Sequence, residues 1–455
     1  MRIRIRHISE PICLGIMIVF PLLFDLLSVF SKNYFIGLEF WAIGLLSVIM
    51  IFGEIKNRRS YSVYMFSGFF IYVFVFIAGG YQYLEDSFMY TIQATDREIS
   101  YANFILILWL IISIIVRRSY SPVLRLVVFT TPVSLSVSKS AKTILILLCF
   151  IFGIMNVVQN GIPSLFNRYY YNSLASNDLQ SITSILKILR SGLGMWTLYI
   201  CAIDYKMKGG STGYILFALI SCLFLIPPLA TSRTIVLITY GGFLLIVSDK
   251  LKEGMNFFLF IFALDLFAAP VFNLFRNGFS GDRTVLFSII RDYKDNFLKS
   301  DYDAYSMFLV SIKYVSLNGI TWGKQLLSVA LFFIPRNIWP SKAIGSGATA
   351  IRTLRTAKVS NISCPIFGEA YINFGIIGVF LFAIIVSLFI NKIDLLYWNS
   401  ERSNNSTITN LYPFFVLFIL MIFRGDLLNS YSWLLGYIVV LLLIRLVFLK
   451  KTVNV

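Results

Sequence analysis

Apolar residues fall in twelve blocks along the 455-residue chain, at about 11–30, 34–52, 61–79, 101–116, 143–159, 186–205, 213–229, 234–248, 256–275, 371–390, 411–424 and 431–449. A helix needs ~20 apolar residues to cross a bilayer. The pattern therefore predicts an all-α, polytopic membrane protein with about twelve transmembrane helices. Arg2, Arg4 and Arg6 precede the first block as they would in a secretory leader. No clear small-residue cleavage site follows, and the block is long, so it reads as an uncleaved anchor.

The blocks leave one long gap. They divide the chain into nine crossings with short loops at 1–275, a large loop at 276–370, and three further crossings at 371–455. The loop has its own periodicity. From Asp303 to Leu317, apolar residues Met307, Phe308, Ile312 and Val315 recur at helical spacing, and Leu326 to Ile334 is nearly continuously apolar. Both stretches are expected to be helices lying on or dipping into the outer leaflet. The second ends at Pro335-Arg336-Asn337-Ile338-Trp339-Pro340, where two prolines restrict the backbone around one arginine. The flexible stretch Gly345-Ser346-Gly347-Ala348 follows. A smaller outer segment, Asn160 to Ile185, carries Tyr169, Tyr170 and Tyr171. No internal repeat is evident.

Composition reinforces the membrane reading. The chain is 58% hydrophobic and 13% charged, against ~25% charged in ordinary soluble proteins, and its mean hydropathy is +0.79. Of five cysteines, Cys13, Cys149, Cys201 and Cys222 fall in apolar blocks and Cys364 stands among polar neighbours. That set builds neither a disulfide framework nor a zinc site. The single histidine, His7, lies in the basic N-terminal stretch, which excludes a mechanism using an external histidine base.

The formal charge of +17 carries more information. Threading twelve crossings puts Lys56, Arg58, Arg117, Arg118, Lys206, Lys250 and Lys450 on one side with both termini, and the bias of Lys and Arg makes that side cytoplasmic. Half of the cations nevertheless face outward. Twelve of them lie in residues 276–370, with only six acids. Loops longer than about 60 residues escape the positive-inside rule, so the threading survives and the basic outer loop needs another explanation.

Each candidate motif also has a plainer reading. Gly319-Ile320-Thr321-Trp322-Gly323-Lys324 lacks the spacing and the hydroxyl of a phosphate loop. Asp301-Tyr302-Asp303 reads either as an acidic metal pair or as the N-cap of the helix starting near Asp303; the cap is favoured, because no third acidic ligand is close in sequence. Arginines at outward helix ends are a stronger signal. Arg233 closes Thr231-Ser232-Arg233, Arg276 and Arg283 follow the ninth block, Arg336 lies between its prolines, and Arg424 precedes Gly425-Asp426. Snorkelling or a belt for anionic headgroups would explain single cases. A set is better explained by a polyanion, which guanidinium groups bind in a bidentate manner without losing charge. At an outer leaflet, a lipid-linked pyrophosphate is such an anion, and Trp322, Trp339 and the tyrosine cluster could stack on its sugars.

Thr231-Ser232-Arg233, the run Phe333 to Lys342, and Gly368-Glu369-Ala370-Tyr371-Ile372-Asn373-Phe374-Gly375-Ile376-Ile377-Gly378 resemble the oligosaccharide repeat-unit polymerases, the Wzy-type O-antigen polymerases. The resemblance implies a GT-C-like membrane glycosyltransferase of the bacterial inner membrane with a periplasmic active site in lipopolysaccharide biosynthesis. It needs no metal or cofactor and binds no nucleic acid. It moves a growing glycan from undecaprenyl pyrophosphate to the terminal hydroxyl of a new lipid-linked repeat unit. Its partners would be those lipid-linked oligosaccharides, membrane lipid, a chain-length regulator and a flippase. Arg233 and Arg336 are then expected to stabilise the leaving pyrophosphate and Glu369 to act as base, with the helix dipole as that carboxylate's plainer role. Arg276, Arg283, Arg424, Trp339, Lys342 and Tyr371 would bind substrate. Glu85 and Asp426 are reserve bases, and the mid-membrane Asp265 needs a partner or a cavity. The alternatives are an O-antigen ligase, whose external His is missing here, and a flippase or transporter.

Overall fold

The computed structural model describes residues 2–119, 137–167, 180–268, 293–355, 362–400 and 407–448, and among them there is no β-strand. Each of the twelve apolar blocks carries helix. Among the described residues, seven helices are long and apolar enough to cross a membrane, or up to eight if the bent pair Glu10–Phe24 and Leu26–Lys32, broken by 69°, is one span. Asp25 takes a left-handed conformation at that break. Four shorter apolar helices, Thr212–Leu225, Arg233–Val247, Asn256–Leu266 and Ile408–Arg424, complete the set. We number the elements used below α1 (Arg2–Val19), α2 (Tyr34–Lys56), α3 (Val63–Leu84), α4 (Asp96–Ser119), α5 (Lys139–Asn160), α6 (Gln180–Lys208), α7 (Thr212–Leu225), α8 (Arg233–Val247), α9 (Asn256–Leu266), α10 (Ala304–Asn318), α11 (Lys324–Ala330), α12 (Ser346–Leu354), α13 (Ile366–Ser400), α14 (Thr407–Arg424) and α15 (Leu427–Phe448).

Polarity is distributed as a bilayer requires. Leu45, Ile115, Phe217, Ile385 and Leu446 are exposed on the outer faces of apolar helices, where lipid would cover them. Polar side chains face inward: Gln82, Asn103, Asn391 and Asp394 are buried and each is hydrogen-bonded. The central element is α3, buried from Val63 through Tyr83. It packs against α2, α13 and α14.

The first helix expected at the membrane interface is an interior one. α10 forms where the periodicity placed it, but Ala304–Ile312 is buried on every face, so it is an interior helix against α3, α4, α12 and α13. Its polar residues are satisfied internally. Tyr305 Oη donates to Asn103 Oδ1 at 2.9 Å, and Gly79 makes room for that ring, since a Cβ there would lie 2.6 Å from Tyr305 Cγ. The second stretch is helical only over α11 and then turns. Trp322, Phe333 and Ile338 around it are more than two-thirds exposed, an apolar surface of the kind that meets a membrane interface. Gly319 and Gly323, both at positive φ, form the turn between α10 and α11, consistent with the structural reading of that glycine-containing run. Cys364, expected among polar neighbours, is fully buried.

Candidate active site

A cavity of about 470 Å³ opens between α3, α8, α9, α14 and the segment preceding α10. One part of its lining is apolar, from Phe66, Phe69, Val236, Leu244, Ile261 and Leu420. The other is charged, from Arg233, Arg424, Asp265, Asp301, Asp303 and Asp426.

Among the described residues, three helices carry a π-helical turn: Tyr72–Ile77 in α3, Leu237–Gly241 in α8 and Leu264–Ala268 at the end of α9. Each contributes to the cavity wall, through Phe74, through Leu237, Tyr240 and Gly241, and through Leu264 and Asp265. A π turn inserts an extra residue and frees a carbonyl. In α8 the Ile238 carbonyl accepts a 2.5 Å hydrogen bond from the buried Tyr199 hydroxyl. Tyr240 Oη binds Ile226 O at 2.7 Å at the end of α7. These bonds hold the widened turn against its neighbours.

The charged wall is positioned by one glutamine. Gln82, at the end of α3, donates to Phe297 O and Tyr302 O, both at 2.9 Å, and accepts from Ser306 Oγ at 2.8 Å. It thereby fixes the segment Phe297–Ser306 over the cavity. Asp301 Oδ2 then lies 2.8 Å from Arg233 Nη2. Asp303 Oδ1 faces Arg424 Nη2 at 3.5 Å, its Oδ2 accepts from Tyr90 Oη at 2.6 Å, and Arg424 also donates to Ser300 O at 2.9 Å. Asp265 acquires its partner here: Tyr302 Oη donates to its Oδ2 at 3.2 Å. Burial pushes the Asp303 carboxyl above the usual carboxylate range, while Arg424 and the Tyr90 bond pull it part of the way back. Asp303 occupies the expected N-cap position of α10 but makes no side-chain cap bond; the guanidinium and the phenol use its oxygens instead.

The expected site residues divide into those the fold gathers and those it separates. Arg233, the first residue of α8, and Arg424, the last of α14, meet at the cavity together with Asp426. Glu369 does not line it. Its Oε2 accepts from Ser346 Oγ at 2.5 Å and its Oε1 from Leu427 N at 2.9 Å, so it sits behind the cavity and caps α15. Asp426 accepts from Gly347 N at 3.2 Å and Leu428 N at 3.0 Å; burial raises its carboxyl, against the pull of those backbone N–H groups. Arg336 is exposed and donates to Lys342 O at 2.6 Å and Ala343 O at 3.2 Å, closing its own loop. Lys342 Nζ binds Ile334 O at 2.9 Å, Trp339 Nε1 binds Ser341 Oγ at 3.0 Å, and Tyr371 Oη binds Tyr101 Oη at 3.2 Å. None of these four is among the cavity's lining residues, and Glu85 is exposed. Arg276, Arg283 and the cluster Tyr169–Tyr171 lie outside the described residues. Sequence reading missed Tyr90, Ser300, Tyr302 and Ser363; the clustering of polar residues at Ser300–Asp303 was the available signal.

Set against protein-family models, curated proteins and solved structures, the chain matches none.

Proposed function

We propose that the chain is a membrane glycosyltransferase of the repeat-unit polymerase kind. It transfers a growing glycan from undecaprenyl pyrophosphate to the terminal hydroxyl of a second lipid-linked repeat unit, at the periplasmic face of the bacterial inner membrane. Twelve crossings in a GT-C-like arrangement, with both termini cytoplasmic, belong to the same proposal. The observation that carries it is the division of the cavity wall. Two guanidinium groups, Arg233 and Arg424, stand with four carboxylates on one part of a wall whose other part is apolar, a pairing of cations with an apolar surface that suits a diphosphate ester on a hydrocarbon chain. The diphosphate gains charge as its bond to the sugar breaks, so arginines already in position favour the transition state over the ground state. The carboxylates facing them hold the guanidiniums in place before substrate arrives.

The test is a reconstitution. Proteoliposomes carrying the purified chain, supplied with a lipid-linked repeat unit, should produce a ladder of lengthened glycans. Arg233→Ala should slow its formation about a hundredfold, ~3 kcal/mol of lost stabilisation. Two other outcomes would replace the reading. Movement of the lipid-linked unit across the bilayer without a new glycosidic bond would mark a transporter, and transfer only to a different acceptor would mark a ligase.

A further inference from the structure

Four carboxylates line the cavity, and three of them have evident work. Asp301 pairs with Arg233. Asp426 accepts backbone N–H groups at the starts of α12 and α15. Asp265 accepts from Tyr302 within the helical wall. Asp303 differs from these in geometry. It is 1% exposed, one oxygen is held by Tyr90, and the other, Oδ1, is buried without a hydrogen-bond partner at 3.5 Å from Arg424. Ser363, also on the cavity lining, is near enough to Asp303 to favour its ionised form, yet its Oγ is buried and makes no hydrogen bond of ordinary geometry. Buried polar atoms are ordinarily satisfied. A carboxylate oxygen and a hydroxyl left open on the wall of one cavity match a ligand that can donate to the first and exchange a hydrogen bond with the second. An alcohol does both.

We infer that Asp303 is the proton acceptor for the attacking sugar hydroxyl, an assignment that rests on the glycosyl-transfer reading above. The hydroxyl donates to Asp303 Oδ1 while Ser363 Oγ orients it. As its oxygen forms the bond to the anomeric carbon, the bond from that carbon to the diphosphate oxygen breaks. The electron pair leaves on the diphosphate beside Arg233 and Arg424, and the proton passes to Oδ1. The role expected of Glu369 moves to Asp303 because both Glu369 oxygens already accept hydrogen bonds behind the cavity. Burial supports the assignment by raising the Asp303 carboxyl, which strengthens it as a base. The titratable and charged groups that bear on it are Tyr90 from the segment after α3, Arg424 from α14, Asp301 from its own segment, and Cys364 beside Ser363.

The experiment uses the full chain in proteoliposomes with lipid-linked repeat unit, and inorganic pyrophosphate as a separate binding probe. Asp303→Asn should lower kcat about 100-fold without raising KM, and pyrophosphate should bind at least as tightly as to the wild type, since the carboxylate facing Arg424 is neutralised. Retained pyrophosphate binding also shows that the variant is folded. The second variant, Tyr90→Phe, removes a bond that favours the ionised carboxylate, so the acid limb of the pH profile for kcat/KM should move upward by about half a unit or more. A rate for Asp303→Asn above about a tenth of the wild type would overturn the assignment, as would loss of pyrophosphate binding along with activity, or an acid limb that Tyr90→Phe leaves in place. If wild-type protein bound pyrophosphate but lengthened no glycan, the glycosyl-transfer reading would fall and Asp303 would lose this role with it. If wild type lengthened glycan and only the variants departed from expectation, the reading would stand and the assignment alone would fail.

Discussion

Asp426 can stand where it does because position 345 has no side chain. A Cβ on Gly345 would lie 2.3 Å from Asp426 Oδ2, well inside contact distance, and the carboxylate would have to leave the N–H groups of Gly347 and Leu428. Gly345→Ala should therefore destabilise the protein by about 1–3 kcal/mol, read as a lower midpoint of thermal unfolding in detergent. An unchanged midpoint would mean that the turn yields at little cost. The sequence exposed some of this chemistry and hid the rest. Arg233 and Arg424 were legible because arginine at an outward helix end is unusual. Their partners were not, since Asp301 is 68 residues from Arg233 and no local spacing relates them. Asp301 and Asp303 drew attention as a cap or a metal pair, both local readings, whereas their actual contacts come from α8, α14 and the segment carrying Tyr90. Arg336 drew attention for its two flanking prolines, and those prolines instead shape a loop in which it binds nearby carbonyls.

At the scale of the helix, apolar blocks predicted where every long element lies but not where elements depart from regular geometry. A π turn adds one residue to a run that is mostly apolar, so the hydrophobic pattern hardly changes. Likewise α13 reads as continuous, yet its backbone breaks at Phe374 and Gly375, leaving Glu369 and Tyr371 in a short piece ahead of the main span. The amphipathic pattern of α10 was legible, but its burial was not, because the residues facing the bundle on its second side include serines that bond internally. The π turn of α8 offers a direct test. Tyr199→Phe removes the donor that satisfies Ile238 O in a fully buried setting, and the open carbonyl should cost about 1–3 kcal/mol. Because Leu237 and Gly241 of the same turn line the cavity, glycan lengthening should fall as well. Loss of stability with full activity would show that the turn serves packing alone.

Across the whole molecule, a second polar cluster stands apart from the cavity. Arg117 donates in a fork to Glu54, at 3.0 and 2.8 Å, and to Asn391 at 2.8 Å, and it lies 3.3 Å from Asp394. Asp394 in turn accepts from Val63 N at 2.9 Å and Tyr412 Oη at 2.6 Å. One guanidinium thus joins the end of α2, the start of α3, the end of α4, α13 and α14. Glu54 and Asp394 are at most 5% exposed, so Arg117→Ala would strand two buried acids and should cost about 3–5 kcal/mol. Adding Glu54→Gln and Asp394→Asn should recover part of the lost unfolding midpoint; no recovery would mean that the arginine acts by packing. The cationic side of the threading made Arg117 look like an orientation marker, and only the fold reveals it as a clamp. The cavity's own ion pairs lead to a different conclusion. Both guanidiniums there already face carboxylates of the same chain, so the diphosphate proposed above would exchange places with a resident anion and would not fill a vacant cradle. Its net gain would be the difference between two similar contacts, which on the proposed reading would keep affinity moderate and let the spent lipid carrier depart. Such a site favours throughput over grip.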